Sequence, residues 1–136
     1  MPFDPLVLLT ILLGLQAKHF LCDYVLQTQW QIHNKGRYGH PGGLVHSGLH
    51  GAGSLVVMGI TAASGWASWP IALGLTLADM LLHYHIDWGK MQISKRLDAQ
   101  PDQLQFWVLI GADQAAHQLT YLGMAYVLVL AHMGVA

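Results

Sequence analysis

Residues 5–29 read PLVLLTILLGLQAKHFLCDYVLQTQ. The stretch is long and apolar enough to cross a bilayer as a helix, which needs about 20 mostly apolar residues. Its second half nevertheless carries ionisable side chains, among them His19 and Asp23, whose four-residue spacing puts them on one face of a helix. An apolar helix with a polar face towards one end is the pattern that the rest of the chain repeats.

Three more apolar stretches follow, at about residues 43–63, 69–90 and 104–132. The prolines lie outside these stretches or at their starts, where a missing backbone N–H costs least, so we expect uninterrupted helices. A chain of this length has room for one core. We therefore predict a single integral membrane domain over residues 1–136, with the fold of an all-α, antiparallel bundle of four transmembrane helices.

The composition supports a membrane protein. Charged residues make up 10% of the chain and hydrophobic residues 54%, whereas a soluble domain usually carries about 25% charged residues. The formal net charge is −1 and there is no basic run, which argues against nucleic acid and leaves the lipid bilayer as the expected partner. The single cysteine, Cys22, excludes an internal disulfide and a Cys-based zinc site.

The cations predict the orientation. Lys and Arg concentrate between the first and second stretches and at or after the end of the third, whereas the termini and the turn at 65–68 carry none. The positive-inside rule therefore places both long loops in the cytoplasm and both termini outside. The N-terminus also lacks the positive region of a signal peptide, so we expect the first stretch to be retained.

His and Asp side chains recur at four-residue spacing in all four stretches. In an up-down-up-down bundle these positions fall at the same end, on the cytoplasmic side, and form one polar pocket. Gln27 continues the polar face of the first stretch, and Asp79 lies one step deeper in the third. The candidate metal ligands are His19, Asp23, His46, His50, His83, Asp87, Asp113 and His117.

A metal ion explains why so many ionisable groups share one place. One ionised side chain at mid-bilayer costs roughly 2.5–3.5 kcal/mol, so these aspartates must be protonated, paired or bound to a cation. Imidazole and carboxylate groups bind divalent transition metals such as Zn, Mn or Fe, and eight ligands can hold one or two ions. Asp23, Asp87 and Asp113 are the candidate catalytic residues, because the chain contains no Glu.

Two other interpretations of the polar pocket remain open. A metal-free network of hydrogen bonds between helices is one, and each such bond averages about 0.6 kcal/mol. A b-type haem held by histidine pairs is the other, and it explains the histidines but not the aspartates.

Four motifs occur in order along the chain: KHFLCDYVLQT at 18–28, LVHSGLH at 44–50, HYHIDWGK at 83–90 and DQAAH at 113–117. Together they resemble the bacterial membrane protein family named domain of unknown function 3307. The resemblance implies a small multi-pass protein of the bacterial inner membrane, with both termini periplasmic, but no reaction. Mainly on this basis, Lys35, Lys90 and Gln114 join Gln27 and Asp79 as supporting polar residues.

The leading functional hypothesis is a metal-dependent membrane hydrolase that acts on a lipid or lipid-linked substrate. One alternative is a translocator of metal ions or protons, since Asp and His chains often mark ion paths in membranes. The outer halves of the four stretches are nearly devoid of ionisable groups, which argues against it. The other alternative is a non-catalytic partner in a larger membrane assembly.

Overall fold

The computed structural model describes residues 3–135 and contains helices but, within that range, no strand. Helix α1 spans Pro5–Phe20 and continues as a π-helical turn over Leu21–Val25. The remaining helices are α2 (Gln29–Asn34), α3 (Pro41–Ala63), α4 (Trp69–Arg96) and α5 (Leu104–His132). The prediction of an all-α fold is confirmed.

Prolines mark three helix starts, as the sequence predicts. Pro5 opens α1 directly after Asp4, whose carboxylate accepts the N–H of Leu6 at 2.9 Å. Pro41 opens α3, and Pro70 lies in the first turn of α4. Proline suits this position because its fixed φ is helical and its missing N–H would have had no helical acceptor.

The first stretch departs from the uninterrupted helix predicted for 5–29. At Leu21 the hydrogen bonding widens to a π turn, in which the N–H of Leu26 donates to the carbonyl oxygen of Leu21 at 2.8 Å. Thr28 then starts α2 with a capping box: its hydroxyl accepts the Gln31 N–H, and the Gln31 side chain accepts the Thr28 N–H. A Thr-x-x-Gln pattern is a known helix start, so the missed helix α2 had a signal in the sequence.

The four long helices contact one another in a ring. Helices α1 and α4 each pack against α3 and α5, and α2 packs against α3. Towards the chain termini the buried side chains are apolar, and we call this region the apolar half; its core includes Ile11, Leu15, Met58, Leu75, Tyr121, Met124 and Leu128. At the other end, the polar half buries Lys18, His19, Lys35, His46, His50, Asp79, His83, Asp87 and His117.

Two helices are long and apolar enough to cross a membrane: Pro5–Val25 and Pro41–Ala63. This criterion uses length and composition, and core helices of soluble proteins or signal sequences can also satisfy it. Helices α4 and α5 do not reach it, because polar and charged side chains such as Asp79, Asp87 and Asp113 lower their hydropathy. The prediction of four transmembrane helices is thus matched, by this criterion, in two of the four.

Candidate metal centre

The polar half brings all eight predicted ligands together. Three groups place one ligand atom of each member within 4.8 Å of the others. They are Asp23, His46, His50 and His83; His19, His83 and His117; and Asp87, Asp113 and His117. The convergence follows from the four-residue spacing, which aligns the side chains on each helix, and from the packing of the four helices around them.

The Nε2 atom of His46 lies among three other candidate ligand atoms. It is 3.1 Å from Asp23 Oδ1, 3.1 Å from Asp87 Oδ2 and 3.2 Å from His83 Nε2. His83 Nε2 is itself 3.5 Å from Asp87 Oδ2 and 3.8 Å from Asp23 Oδ1. Tetrahedral zinc with bonds of about 2.0–2.2 Å requires ligand atoms about 3.3–3.6 Å apart. The four atoms are therefore spaced as one tetrahedral ion requires.

Hydrogen bonds do not explain the whole arrangement. Asp87 Oδ2 is buried and has no hydrogen-bond partner among residues 3–135, because its 3.1 Å approach to His46 lacks hydrogen-bond geometry. Asp113 Oδ1 and His117 Nε2 are likewise buried without a partner in the described part of the chain. Buried polar atoms without a partner are rare and call for a water or an ion. All three are oxygen or nitrogen atoms that bind divalent metals.

Asp87 belongs to both ends of the polar half. Its Oδ2 faces His46 and His83, whereas its Oδ1 lies 4.0 Å from His117 Nε2. His117 Nε2 is also 3.5 Å from Asp113 Oδ1. A carboxylate that offers one oxygen to each of two ligand groups can bridge two ions, which lie about 3.5–4 Å apart in two-metal sites.

His50 orients a ligand rather than offering a lone pair to a metal. Its Nδ1 lies 3.5 Å from Lys18 Nζ, and its Nε2 lies 3.0 Å from Asp23 Oδ1. An ammonium group can only donate, so Nδ1 accepts and the ring proton is on Nε2, which donates to Asp23. Such a hydrogen bond fixes the direction of a metal-binding carboxylate.

His19 has hydrogen-bond partners for both ring nitrogens. Its Nδ1 is 2.9 Å from Tyr121 Oη, and its Nε2 is 3.0 Å from Gln114 Oε1 and 3.2 Å from Asp23 Oδ2. Gln27 approaches the same carboxylate from the other side, donating from Nε2 to Asp23 Oδ1 at 3.3 Å. These contacts hold Asp23 in place and give Gln27 and Gln114 the supporting positions that the sequence predicts.

The histidine rings pack directly against one another. The ring of His83 stacks between those of His50 and His117, with centroid distances of 3.5 Å and 4.2 Å. Stacked imidazolium rings would repel each other, so the stack requires neutral or metal-bound rings. Rings this close leave no space between them for a porphyrin, which argues against the haem interpretation.

Lys35 is the cation closest to the shared carboxylate. Its Nζ lies 3.1 Å from Asp87 Oδ1, and both side chains are buried. The backbone of Lys35 rests on α3 at Gly43, where a Cβ atom would lie 3.3 Å from the Lys35 Cα. Glycine thus allows the segment after α2 to approach α3 closely enough for the lysine to reach Asp87.

Asp79 belongs to a separate ion pair, one step deeper than the metal ligands. Its Oδ2 accepts from Lys18 Nζ and from Ser54 Oγ, each at 2.6 Å, and all three side chains are buried. Ser54 and Tyr121 were not among the predicted site residues. Each follows a site histidine, His50 or His117, by four residues, so the spacing that identified the ligands also marked them.

A cavity of about 190 Å³ connects the site to the outside. Its polar lining consists of the side chains of Asp23, Gln27, Lys35, Lys90, Asp113 and Gln114. The remaining histidines and the cysteine lie elsewhere. His33 and His85 are exposed, His132 stacks on Trp66 in the apolar half, and Cys22 is buried against α3 with its thiol 3.6 Å from the Leu49 carbonyl oxygen.

No curated protein and no solved structure matches this chain. One family model does: its description is "Protein of unknown function (DUF3307)", and it matches residues 8–134. The match covers nearly the whole chain, including all four motifs and every ligand of the candidate centre. The chain therefore belongs to the DUF3307 family, as the resemblance of its motifs indicates.

Proposed function

We propose that this protein is a metal-dependent hydrolase of the bacterial inner membrane that binds two divalent ions and acts on a lipid or lipid-linked phosphate. The observation that carries the proposal is the set of three buried ligand atoms without partners among residues 3–135: Asp87 Oδ2, Asp113 Oδ1 and His117 Nε2. They lie on both sides of one shared carboxylate and beside a cavity with a polar lining.

The first ion has four protein ligands: Asp23, His46, His83 and Asp87. The second has three, from Asp87, Asp113 and His117, and keeps a position open towards the cavity that Asp113 lines. A four-ligand set is typical of structural sites, whereas catalytic sites keep a position for water or substrate. The second ion is therefore the catalytic one.

A divalent ion in the open site polarises a phosphoryl oxygen and activates a water molecule. The chain supplies the remaining functions. Lys35 and Lys90 attract a negatively charged group into the cavity, and Asp23 and Asp113 are the carboxylates that line it. His19, His50 and Gln27 hold Asp23 in a fixed orientation, so that reacting groups meet in a defined geometry.

The distribution of exposed apolar side chains supports four transmembrane helices. Large exposed residues occur on all four long helices, including Leu13 on α1, Val56 on α3, Leu77 on α4 and Leu119 on α5, with exposures of 60%, 63%, 52% and 67%. Soluble monomers rarely expose apolar patches larger than a few hundred Å². Lipid is the environment in which such surfaces are stable.

Cysteine labelling in intact cells tests the orientation. In a Cys22→Ala background, cysteines at Arg37 and Arg96 should be shielded from a membrane-impermeant thiol reagent, because the positive-inside rule puts both loops in the cytoplasm. Cysteines at Ser64 and Gly134 should react. The reverse pattern would place the site on the periplasmic side, and equal labelling of all four would contradict membrane insertion.

Metal analysis and turnover test the site together. Protein purified without chelator or His tag should carry two divalent ions, and it should hydrolyse at least one member of a panel of lipid phosphates, lipid-linked phosphates and acyl esters. Metal-stripped protein is the control. If metal-loaded protein hydrolyses none of these while ion flux into liposomes depends on Asp23 or Asp113, the protein is a translocator instead.

A further inference from the structure

The polar cavity is continuous with an apolar groove between α4 and α5. The groove has a volume of about 270 Å³ and is lined chiefly by Ile86, Gly89, Ile93, Leu109, Ala112 and Ala116. Lys90 and Asp113 line both the cavity and the groove. Each space alone is smaller than the roughly 300–1,000 Å³ of typical ligand pockets, and the two together fall within that range.

The two spaces differ in chemistry. The cavity presents the ammonium groups of Lys35 and Lys90, whereas the groove presents almost only carbon atoms. Lys35 is paired with Asp87, but no carboxylate within residues 3–135 pairs with Lys90. Lys90 therefore lies at the junction with its charge available to a ligand.

We infer that the cavity and the groove together bind a lipid with a terminal phosphate, the phosphate beside Lys90 and the alkyl chain between α4 and α5. The inference rests on the proposed function, since the ions offset the charges of Asp23 and Asp113 in the cavity wall. An anion fits the lysines and the ions, and an apolar chain fits the groove. One amphiphile satisfies both, and it would enter sideways from the bilayer.

Gly89 gives a direct way to fill the groove. It lines the groove, and a Cβ atom built there meets nothing within 4 Å, so Gly89→Leu occupies the groove without displacing protein. Gly74 is the matched control, because it lies on the same helix outside the groove and its Cβ also meets nothing within 4 Å. Both changes replace a helical glycine with a better helix former, so neither should impair folding.

Binding is measured on metal-loaded protein in bilayer nanodiscs with dodecyl phosphonate, methyl phosphonate and dodecyl trimethylammonium as probes. Dodecyl phosphonate should bind at least about tenfold more tightly than either of the others, because burial of each methylene contributes about 0.8 kcal/mol and the cation lacks the phosphonate charge. Gly89→Leu should weaken this binding about tenfold, an effect of about 1.4 kcal/mol, and leave methyl phosphonate unaffected. Gly74→Leu should change neither.

Lys90→Gln should weaken both phosphonates by a similar factor, since the lost charge contacts the head and not the chain. Equal binding of the two phosphonates, or dodecyl phosphonate binding that Gly89→Leu does not alter, would overturn the inference. Binding and turnover fail separately. Hydrolysis with no chain-length preference leaves the hydrolase standing and removes the lipid site, whereas phosphonate binding without hydrolysis of any substrate removes the hydrolase alone.

Discussion

The two halves of the helix bundle bury opposite kinds of side chain. In the apolar half, Leu15, Met58 and Leu128 are fully buried among other hydrocarbon groups. In the polar half, His50 and His83 are equally inaccessible, and their neighbours are carboxylates, imidazoles and ammonium groups. Hydrocarbon contacts need no further partner, whereas a buried charge is tolerated only with a counter-charge or a metal. The first half should therefore determine stability, and the second should depend on ligands and determine activity.

The strongest test of this division compares two aspartates on α4. Asp79 and Asp87 are both buried and both paired with a lysine, Lys18 or Lys35. Asp87→Ala should release both ions and lower turnover more than about 10⁴-fold, beyond the about 10²–10⁴-fold of a single acid–base group, because Asp87 serves both sites. Asp79→Ala should keep both ions. Metal analysis and steady-state kinetics measure the outcome, and two ions retained in Asp87→Ala would rule out the shared ligand.

The open site is tested by a milder change. Asp113→Asn should lower the bound metal from two ions to one and reduce turnover about 10²–10⁴-fold, since the second site has three ligands and Asp113 is one of them. Asp113 is only partly buried, so thermal unfolding should change little. Asp102→Asn, at an exposed position before α5, is the control and should match the wild type. A full complement of metal with full activity in Asp113→Asn would exclude the residue from the site.

The ion pair below the ligands tests the boundary between the halves. Lys18→Met or Asp79→Leu alone should lower the free energy of unfolding by about 3–5 kcal/mol, because each leaves a buried charge without its partner. The double variant should recover most of that loss, since both charges are then absent. The measurement is a double-mutant cycle of unfolding in detergent. Additive losses would mean that the 2.6 Å contact between Lys18 Nζ and Asp79 Oδ2 does not stabilise the protein.

The smallest expected effect concerns the apolar half. Leu128→Ala removes a fully buried side chain and should lower the free energy of unfolding by about 2–4 kcal/mol, through lost packing and a residual cavity. Both ions should stay bound, because the change lies outside the polar half. Leu122→Ala, at a residue 55% exposed on the same helix, is the matched control and should cost no more than about 0.5 kcal/mol. Loss of metal from Leu128→Ala would show that the two halves are coupled.

The bounds of the elements show how far local patterns reach. The stretch predicted at 104–132 coincides with α5, and α3 begins two residues before the predicted 43. Helix α4 extends to Arg96, beyond the predicted 90, because its last turns continue into a polar segment that hydropathy does not mark. The π turn after Phe20 was not predicted, since it depends on hydrogen bonding rather than on residue type.

The sequence by itself determined that His and Asp side chains converge at one end of four helices. Helical spacing is a local property, so residues four apart share a face in any surroundings, and alternating helix directions bring those faces to the same end. Only the tertiary structure decided which atoms meet there. It gave Lys18 to Asp79 and Lys35 to Asp87, and it turned the Nδ1 of His50 towards an ammonium group. These choices depend on helix rotations and on separations of a few ångströms between segments far apart in the chain, which no local pattern specifies.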